Sequence, residues 1–228
     1  MFKWLKKKKT AVQKNEVRQM ALQALVLPEI DIAKVKEFAM NGWELGETHG
    51  LPHWQRVERN GIILSTEIRN GISCIREDIN MKVVRMFAYL HDKCRLNNGA
   101  DLEHGIRAAD MLPSIRSTIL QDLTDEDFSL LEIACRLHTT ELRTGNLTVD
   151  TCFDADRLDL ERVGIIPFHN KMATANGKYW AMHLDEFHQI IFSLQIALLE
   201  EQTIKNPYLK KNVDATKILI HETISNTT

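Results

Sequence analysis

Three observations predict an all-α fold, a single helical bundle with extra helices at its N- and C-terminal ends. Apolar residues recur at helical spacing along most of the chain, clean period-two alternation is scarce, and the periodic segments stop at capping or breaking residues. With 228 residues, 44% of them hydrophobic and 26% charged, the chain can bury a sizeable core and has the make-up of a globular protein.

Taken in order, "VRQMALQALVL" reads as a short helix stopped near Pro28, and "DIAKVKEFAMNGW" as a second, with Asp31 as N-cap and Asn41-Gly42 as its stop. "LPHWQRVERNGIILSTEI" follows as a third, with Pro52 in the first turn, where its missing N–H does no harm. "DINMKVVRMFAYLHDKC" ends in a His-Asp pair and is broken by "NNGAD". Asp101 is placed to cap "DLEHGIRAADML", and Thr124 or Asp125 to cap "DEDFSLLEIACRLHTTEL". "TCFDADRLDLERVG" reads as one helix closed by Gly164. Beyond the loop "PFHNKMATANGK", a long amphipathic helix is expected from about Trp180 to Gln202, and a shorter one from about Asp214. The expected division is a basic tail and short helix over 1–28, the helical domain over 29–205 and a helical appendage over 206–228.

The formal net charge of -2 gives no strong nucleic-acid signal. Residues 1–18, however, hold seven Lys or Arg against one acid, Glu16. With Phe2, Trp4 and Leu5 beside the lysines, this run reads first as a solvated tail, and contact with an anionic membrane or nucleic acid is the alternative. The polar "TAVQKNEVRQ" after it argues against a secretory signal, and no stretch approaches the ~20 apolar residues of a transmembrane segment. Cys74, Cys94, Cys135 and Cys152 are dispersed without a CxxC, which fits neither a zinc ribbon nor a disulfide scaffold. A reduced, cytoplasmic setting is the expectation.

Chemistry gathers in six residues: His53, His91, Asp92, His104, His138 and Asp156. They fall on five separate predicted helices, each on or beside an apolar face. A carboxylate such as Asp92, directly after the apolar run "FAYL", is expensive to bury unless it is paired or bound to a metal. Imidazoles suit divalent transition metals, carboxylates add charge and can bridge, and a bundle site draws single residues from several helices. Each residue alone has a plainer reading, as a hydrogen-bonded boundary histidine or as part of a solvated helix face. The ordered set carries the functional reading.

That order resembles the HD-domain superfamily of metal-dependent phosphohydrolases. The matching stretches are "HWQRV", "FAYLHD", "EHGIRAA", "RLHT" and "DADRLDL", within roughly residues 48–165, about half of the chain. The resemblance implies that His53, His91, Asp92 and Asp156 hold one divalent metal, Asp156 being preferred to Asp154 because it sits in the A-D-R-L element. It also implies that His104 and His138 hold a second ion with Asp92 as bridge, or contact substrate phosphate instead. One ion or two stays open, as does the metal, with Mn, Fe, Co, Ni or Zn favoured over Mg by the histidines.

On this reading Asp92 and Lys93 are the candidate catalytic residues, with His104 a further possible proton donor. Arg56, Arg95 and Arg107, each within a turn of a candidate ligand, are the candidates for binding substrate phosphate, since a guanidinium fork fits two phosphate oxygens. Glu103 is a candidate to orient an imidazole, His49 reads first as a loop histidine near His53 with approach to the metal or the substrate as the alternative, and "HNKMATANGK" reads as a candidate lid. The chain lacks the G-Y-P extension of cyclic-di-GMP phosphodiesterases, so that substrate is not carried over. The expected function is hydrolysis of a small phosphorylated substrate, a nucleotide among the candidates, with homo-oligomers formed through the C-terminal helices as a further option. The alternative is a non-catalytic HD-fold protein that binds metal or nucleotide, or a helical partner-binding protein.

Overall fold

Helices dominate residues 30–69 and 72–191, the part of the chain described in the computed structural model, as the all-α expectation requires. In chain order these are α1 (Ala33–Met40), α2 (Leu51–Leu64), strands β1 (Thr66–Arg69) and β2 (Ile72–Ile75), α3 (Met81–Leu90), α4 (His104–Ile115), α5 (Asp125–Leu137), α6 (Leu147–Arg157) and α7 (Ala175–Met182), with short 3-10 turns at Leu160–Val163 and His169–Lys171. The seven named helices belong to one compact unit, Pro28–Glu67 with Cys74–Leu184, and residues 68–69, 72–73 and 185–191 group in a second. The expected helix in 17–27, the basic tail and the appendage over 206–228 lie outside the described residues.

α3 is the central element. Met81, Val83, Val84, Met86, Phe87, Ala88, Tyr89 and Leu90 are all buried, so the helix is apolar almost all round and must be enclosed. It is packed against α1, α2, α5 and α6, while α2 also meets α6 and α4 meets α5. Each fully buried large side chain here, Phe87 and Leu90 among them, contributes about 1.5–3 kcal/mol. One polar network crosses this packing: Glu58 accepts from Arg85 Nε at 2.8 Å and from the Tyr89 hydroxyl, with Lys36 Nζ at 3.5 Å. A carboxylate this buried is tolerable because each oxygen has a donor nearby.

Side chains start the helices where short polar residues precede apolar runs. Asn80 accepts from the Lys82 and Val83 amides, Thr124 and Asp127 form a reciprocal capping box, Asn146 accepts from Val149 N, and Thr174 from Gly177 N. Asp31 Oδ1 accepts from Ala33 N at 2.9 Å at the start of α1.

Four expected elements differ. The third helix stops at Leu64, because "TEIR" and "ISCI" pair as strands β1 and β2; Asn-Gly between two β-rich runs was the sequence signal for it. α4 begins at His104 with no side-chain cap, since both Asp101 oxygens are engaged elsewhere, by the Leu96 amide and by Arg107. The helix around Asp156 starts earlier, at Leu147, and breaks after Arg157 into the 3-10 turn that Gly164 closes with φ 76°. The helix expected from Trp180 to Gln202 is interrupted at His183, after α7, and helix resumes over 184–191, while its expected continuation over 192–202 lies outside the described residues. No helix among the described residues is long and apolar enough to cross a membrane.

Candidate metal centre

All six predicted ligands lie at helix ends that converge. His53 is in the first turn of α2, His91 caps the C-terminus of α3 with Asp92 next to it, His104 opens α4, His138 caps α5, and Asp156 is in the last turn of α6. Two glycines permit the approach. A Cβ on Gly61 would lie 2.4 Å from Val84 Cγ1, so α2 and α3 sit close and the rings of His53 and His91 are 5.2 Å apart. A Cβ on Gly105 would lie 2.5 Å from Cys135 O and 2.9 Å from His138 Cε1, and across that contact the rings of His104 and His138 are 4.8 Å apart.

The helix ends also fix the imidazoles. The last carbonyls of a helix have no partner within it. His91 Nδ1 donates to Phe87 O and Ala88 O at 3.1 and 3.2 Å, and His138 Nδ1 to Cys135 O at 2.7 Å. His53 Nδ1 donates to Asp159 Oδ2 at 2.8 Å, and His104 Nδ1 to Asp101 O. With each Nδ1–H committed, a neutral ring leaves Nε2 as a bare lone pair. Yet His53 Nε2 and His91 Nε2 are 3.2 Å apart, and His104 Nε2 and His138 Nε2 are 2.8 Å apart. Two lone pairs at such distances repel unless a cation or proton lies between them. Burial pushes His91 down to about 3 and His138 down to about 4, so these two rings are neutral at physiological pH.

Asp92 spans both pairs. Its Oδ2 lies 3.4 Å from His53 Nε2 and 3.7 Å from His91 Nε2, and its Oδ1 lies 2.9 Å from His104 Nε2. Burial works to raise its pKa, but the surrounding imidazoles of His91, His104, His49 and His53 hold the carboxyl well below the usual range. Asp156 is likewise held down against its burial by His91, Arg162, His53 and His138. Its Oδ1 is buried with no hydrogen-bond partner, at 3.5 Å from His53 Nε2, 3.7 Å from His91 Nε2 and 3.8 Å from Arg162 Nη2. An ionised oxygen buried without a donor is strongly unfavourable, and a coordinated cation would satisfy it.

Among the described residues, His53 with His91 and Asp156, His91 with Asp92 and His138, and His49 with His53 and Asp92 each bring ligand atoms within 4.8 Å of one another. These buried groups can hold a metal ion. Bare nitrogens, ionised carboxylates and an orphaned oxygen on one spot are what such an ion needs.

The other candidates divide. Arg95 reaches the centre, its Nη1 at 3.4 Å from Asp92 Oδ1 and 3.2 and 3.3 Å from the His104 nitrogens. Arg56 does not; it grips Asp159 through Nε at 2.6 Å and Nη2 at 3.0 Å. Arg107 is bound to both oxygens of Asp101 at 2.6 Å. Lys93 turns away, donating from Nζ to Ala39 O and Asn41 O at the end of α1. Glu103 is 81% exposed, and the carbonyl of Asp101 orients His104 instead. Asp154 accepts from Ala173 N, Thr174 N and Thr174 Oγ1, which ties the expected lid loop to α6 on the side away from Asp156.

Three residues of the centre were not among the predicted ligands. Asp159 orients His53 and is itself held by Arg56, an outer carboxylate–imidazole arrangement. Arg162 donates to Thr48 O and Asp159 O and brings Nη2 beside Asp156. His49 is buried, with Nδ1 at 3.0 Å from Asp92 Oδ2. Asp159 and Arg162 read as a charged helix face until the helix breaks between them and Asp156; His49, four residues before His53, was the legible one.

Comparison with protein-family models, with curated proteins and with solved structures gives no match.

Proposed function

We propose that the chain is a metal-dependent phosphohydrolase of the HD type, acting on a small phosphomonoester or phosphodiester, with nucleotides among the candidate substrates. The observation that carries the proposal is the meeting of His53, His91, Asp92, His104, His138 and Asp156, in the order that the HD resemblance implied, with their free nitrogens facing one another in pairs. The convergence supports the metal site; the phosphohydrolase chemistry rests on the resemblance in addition.

On this reading His53, His91, Asp92 and Asp156 would hold a first ion, and His104 and His138 with Asp92 would hold a second. Four imidazoles favour Mn, Fe, Co, Ni or Zn over Mg. When bound, such an ion lowers the pKa of water and offsets charge on a phosphoryl oxygen. Arg162, beside the partly exposed Asp156, is the guanidinium placed to meet phosphate oxygens. His49 is the group suited to move a proton: Asp92 Oδ2 holds its Nδ1–H, and the ring, when it also carries a proton on Nε2, would give that proton to the leaving oxygen as the P–O bond breaks, while the water that forms the new P–O bond gives its own proton to solvent.

The test is a panel of phosphorylated metabolites assayed with the protein loaded with each transition metal in turn, beside His91→Ala, Asp92→Ala and His49→Gln. Turnover is expected in the parent, lost with the metal in the first two variants and reduced about 10²-fold or more with metal retained in the third. Metal binding without turnover of any phosphoester would contradict the proposal and leave a binding protein.

A further inference from the structure

The two halves of the centre differ in charge. Arg162 approaches the His53–His91 pair, but that pair is answered by two carboxylates, Asp92 and Asp156. Among the described residues, the His104–His138 pair has the shared Asp92 Oδ1 as its close carboxylate oxygen, at 2.9 Å from His104 Nε2, with Asp156 acting on His138 from further off, and against it stands the Arg95 guanidinium.

Arg95 is also fixed in place by its own loop. Nη2 donates to Gly99 O at 2.8 Å and Nε to Asn97 O at 3.3 Å. That loop is braced in turn: Asp101 Oδ2 accepts from Leu96 N at 2.9 Å, Arg107 grips Asp101, and Asn98 Nδ2 donates to Leu45 O at 2.9 Å. The braces give Arg107 its role and keep the Arg95 side chain 8% exposed against the ligands.

The geometry points to Arg95 as a resident cation of the His104–His138–Asp92 position, so that the chain binds one metal ion tightly and a second much more weakly. This rests on the metal-centre reading above. Nη1 is 3.3 Å from His104 Nε2 and 3.4 Å from Asp92 Oδ1, and those two atoms are 2.9 Å apart. An ion about 2 Å from both nitrogen and oxygen can lie no further than about 4.5 Å from Nη1. At that separation a guanidinium and a dication repel strongly inside a protein, enough to lower the second affinity by at least about tenfold. The first position lacks this penalty because the second carboxylate, Asp156, offsets Arg162. Arg95 thus supplies positive charge next to Asp92 when only one metal is bound.

The test is titration of the chelator-stripped full chain with Co²⁺, followed by visible absorption and by equilibrium dialysis with elemental analysis. Wild type should take one tight equivalent and a second at least about tenfold more weakly. Arg95→Gln should tighten the second by at least about tenfold, and adding His104→Ala should return the chain to one equivalent. Arg95→Met, which keeps the apolar stem, should give the same gain and guards against a loop disturbed by glutamine. A single tight equivalent unchanged in both Arg95 variants, or two equal equivalents in wild type, would overturn this inference while sparing the metal centre. No Co²⁺ bound by any form would overturn both.

Discussion

Replacing Asp159 by Asn tests whether the centre depends on a residue that coordinates nothing. Asp159 accepts from His53 Nδ1 at 2.8 Å, from Arg56 Nε at 2.6 Å and from Arg56 Nη2 at 3.0 Å. Asparagine keeps an oxygen for His53 but removes the charge and sets an amide against the guanidinium. Arg56 is one-third exposed and can turn to water, so the loss of its ion pair costs little. His53 is fully buried and cannot. The stability loss is therefore about 1–2 kcal/mol, mainly the weakened charged hydrogen bond to His53. Metal affinity should fall about 10- to 100-fold, because the ring loses both its orientation and part of its basicity. Asp159→Leu, with no acceptor at all, should fall further. Competition with a coloured chelator measures affinity, and circular dichroism melting measures stability. Metal affinity within about twofold of wild type in both variants would refute the argument that Asp159 sets the His53 tautomer.

Three further outcomes follow from the same geometry. Gly105→Ala forces a Cβ toward a backbone carbonyl, Cys135 O, which cannot yield as a side chain can; it should lower stability by about 1–3 kcal/mol, and an unchanged melting temperature would contradict the close packing of α4 on α5. Lys93→Met removes donors to Ala39 O and Asn41 O and should lose about 1 kcal/mol of stability with full metal content, whereas loss of metal would return Lys93 to the site. Burial pushes the Cys135 and Cys152 thiols up, so the stability that they contribute is full below the ordinary thiol pKa of about 8.5 and lost as pH rises beyond it. Thiol labelling at pH 8 should reach the partly exposed Cys74 and Cys94 and not this pair until denaturant is added, with the melting temperature falling between about pH 9 and 10; native labelling of all four would contradict it.

The helical class and the six candidate residues that the fold brings together were legible because each rests on local chemistry: a 3.6-residue period, a cap, an imidazole beside an apolar face. Asp156 lies among the imidazoles, whereas Asp154 faces the loop at Thr174. What sequence could not reach depends on where elements break. Asp159 and Arg162 join the centre only because α6 ends at Arg157 and the chain turns through Leu160–Val163. The arginines show the same limit. Arg56, Arg95 and Arg107 are equivalent by spacing, yet a carboxylate across space claims the first and third and leaves Arg95 facing Asp92. The strand pair after Leu64 was missed for a different reason, because helical periodicity was extended through an Asn-Gly turn signal.

On the proposed reading, two facing pairs of imidazole nitrogens and the carboxylates of Asp92 and Asp156 hold a divalent metal. Elemental analysis of the full chain, purified without a His tag or added metal, tests it most directly. At least one transition-metal equivalent per chain is expected, and it should be lost in His91→Ala and Asp92→Ala while helicity is retained. A chain that carries no metal, and still carries none after Mn, Fe, Co, Ni and Zn are each supplied and the excess removed, would contradict it.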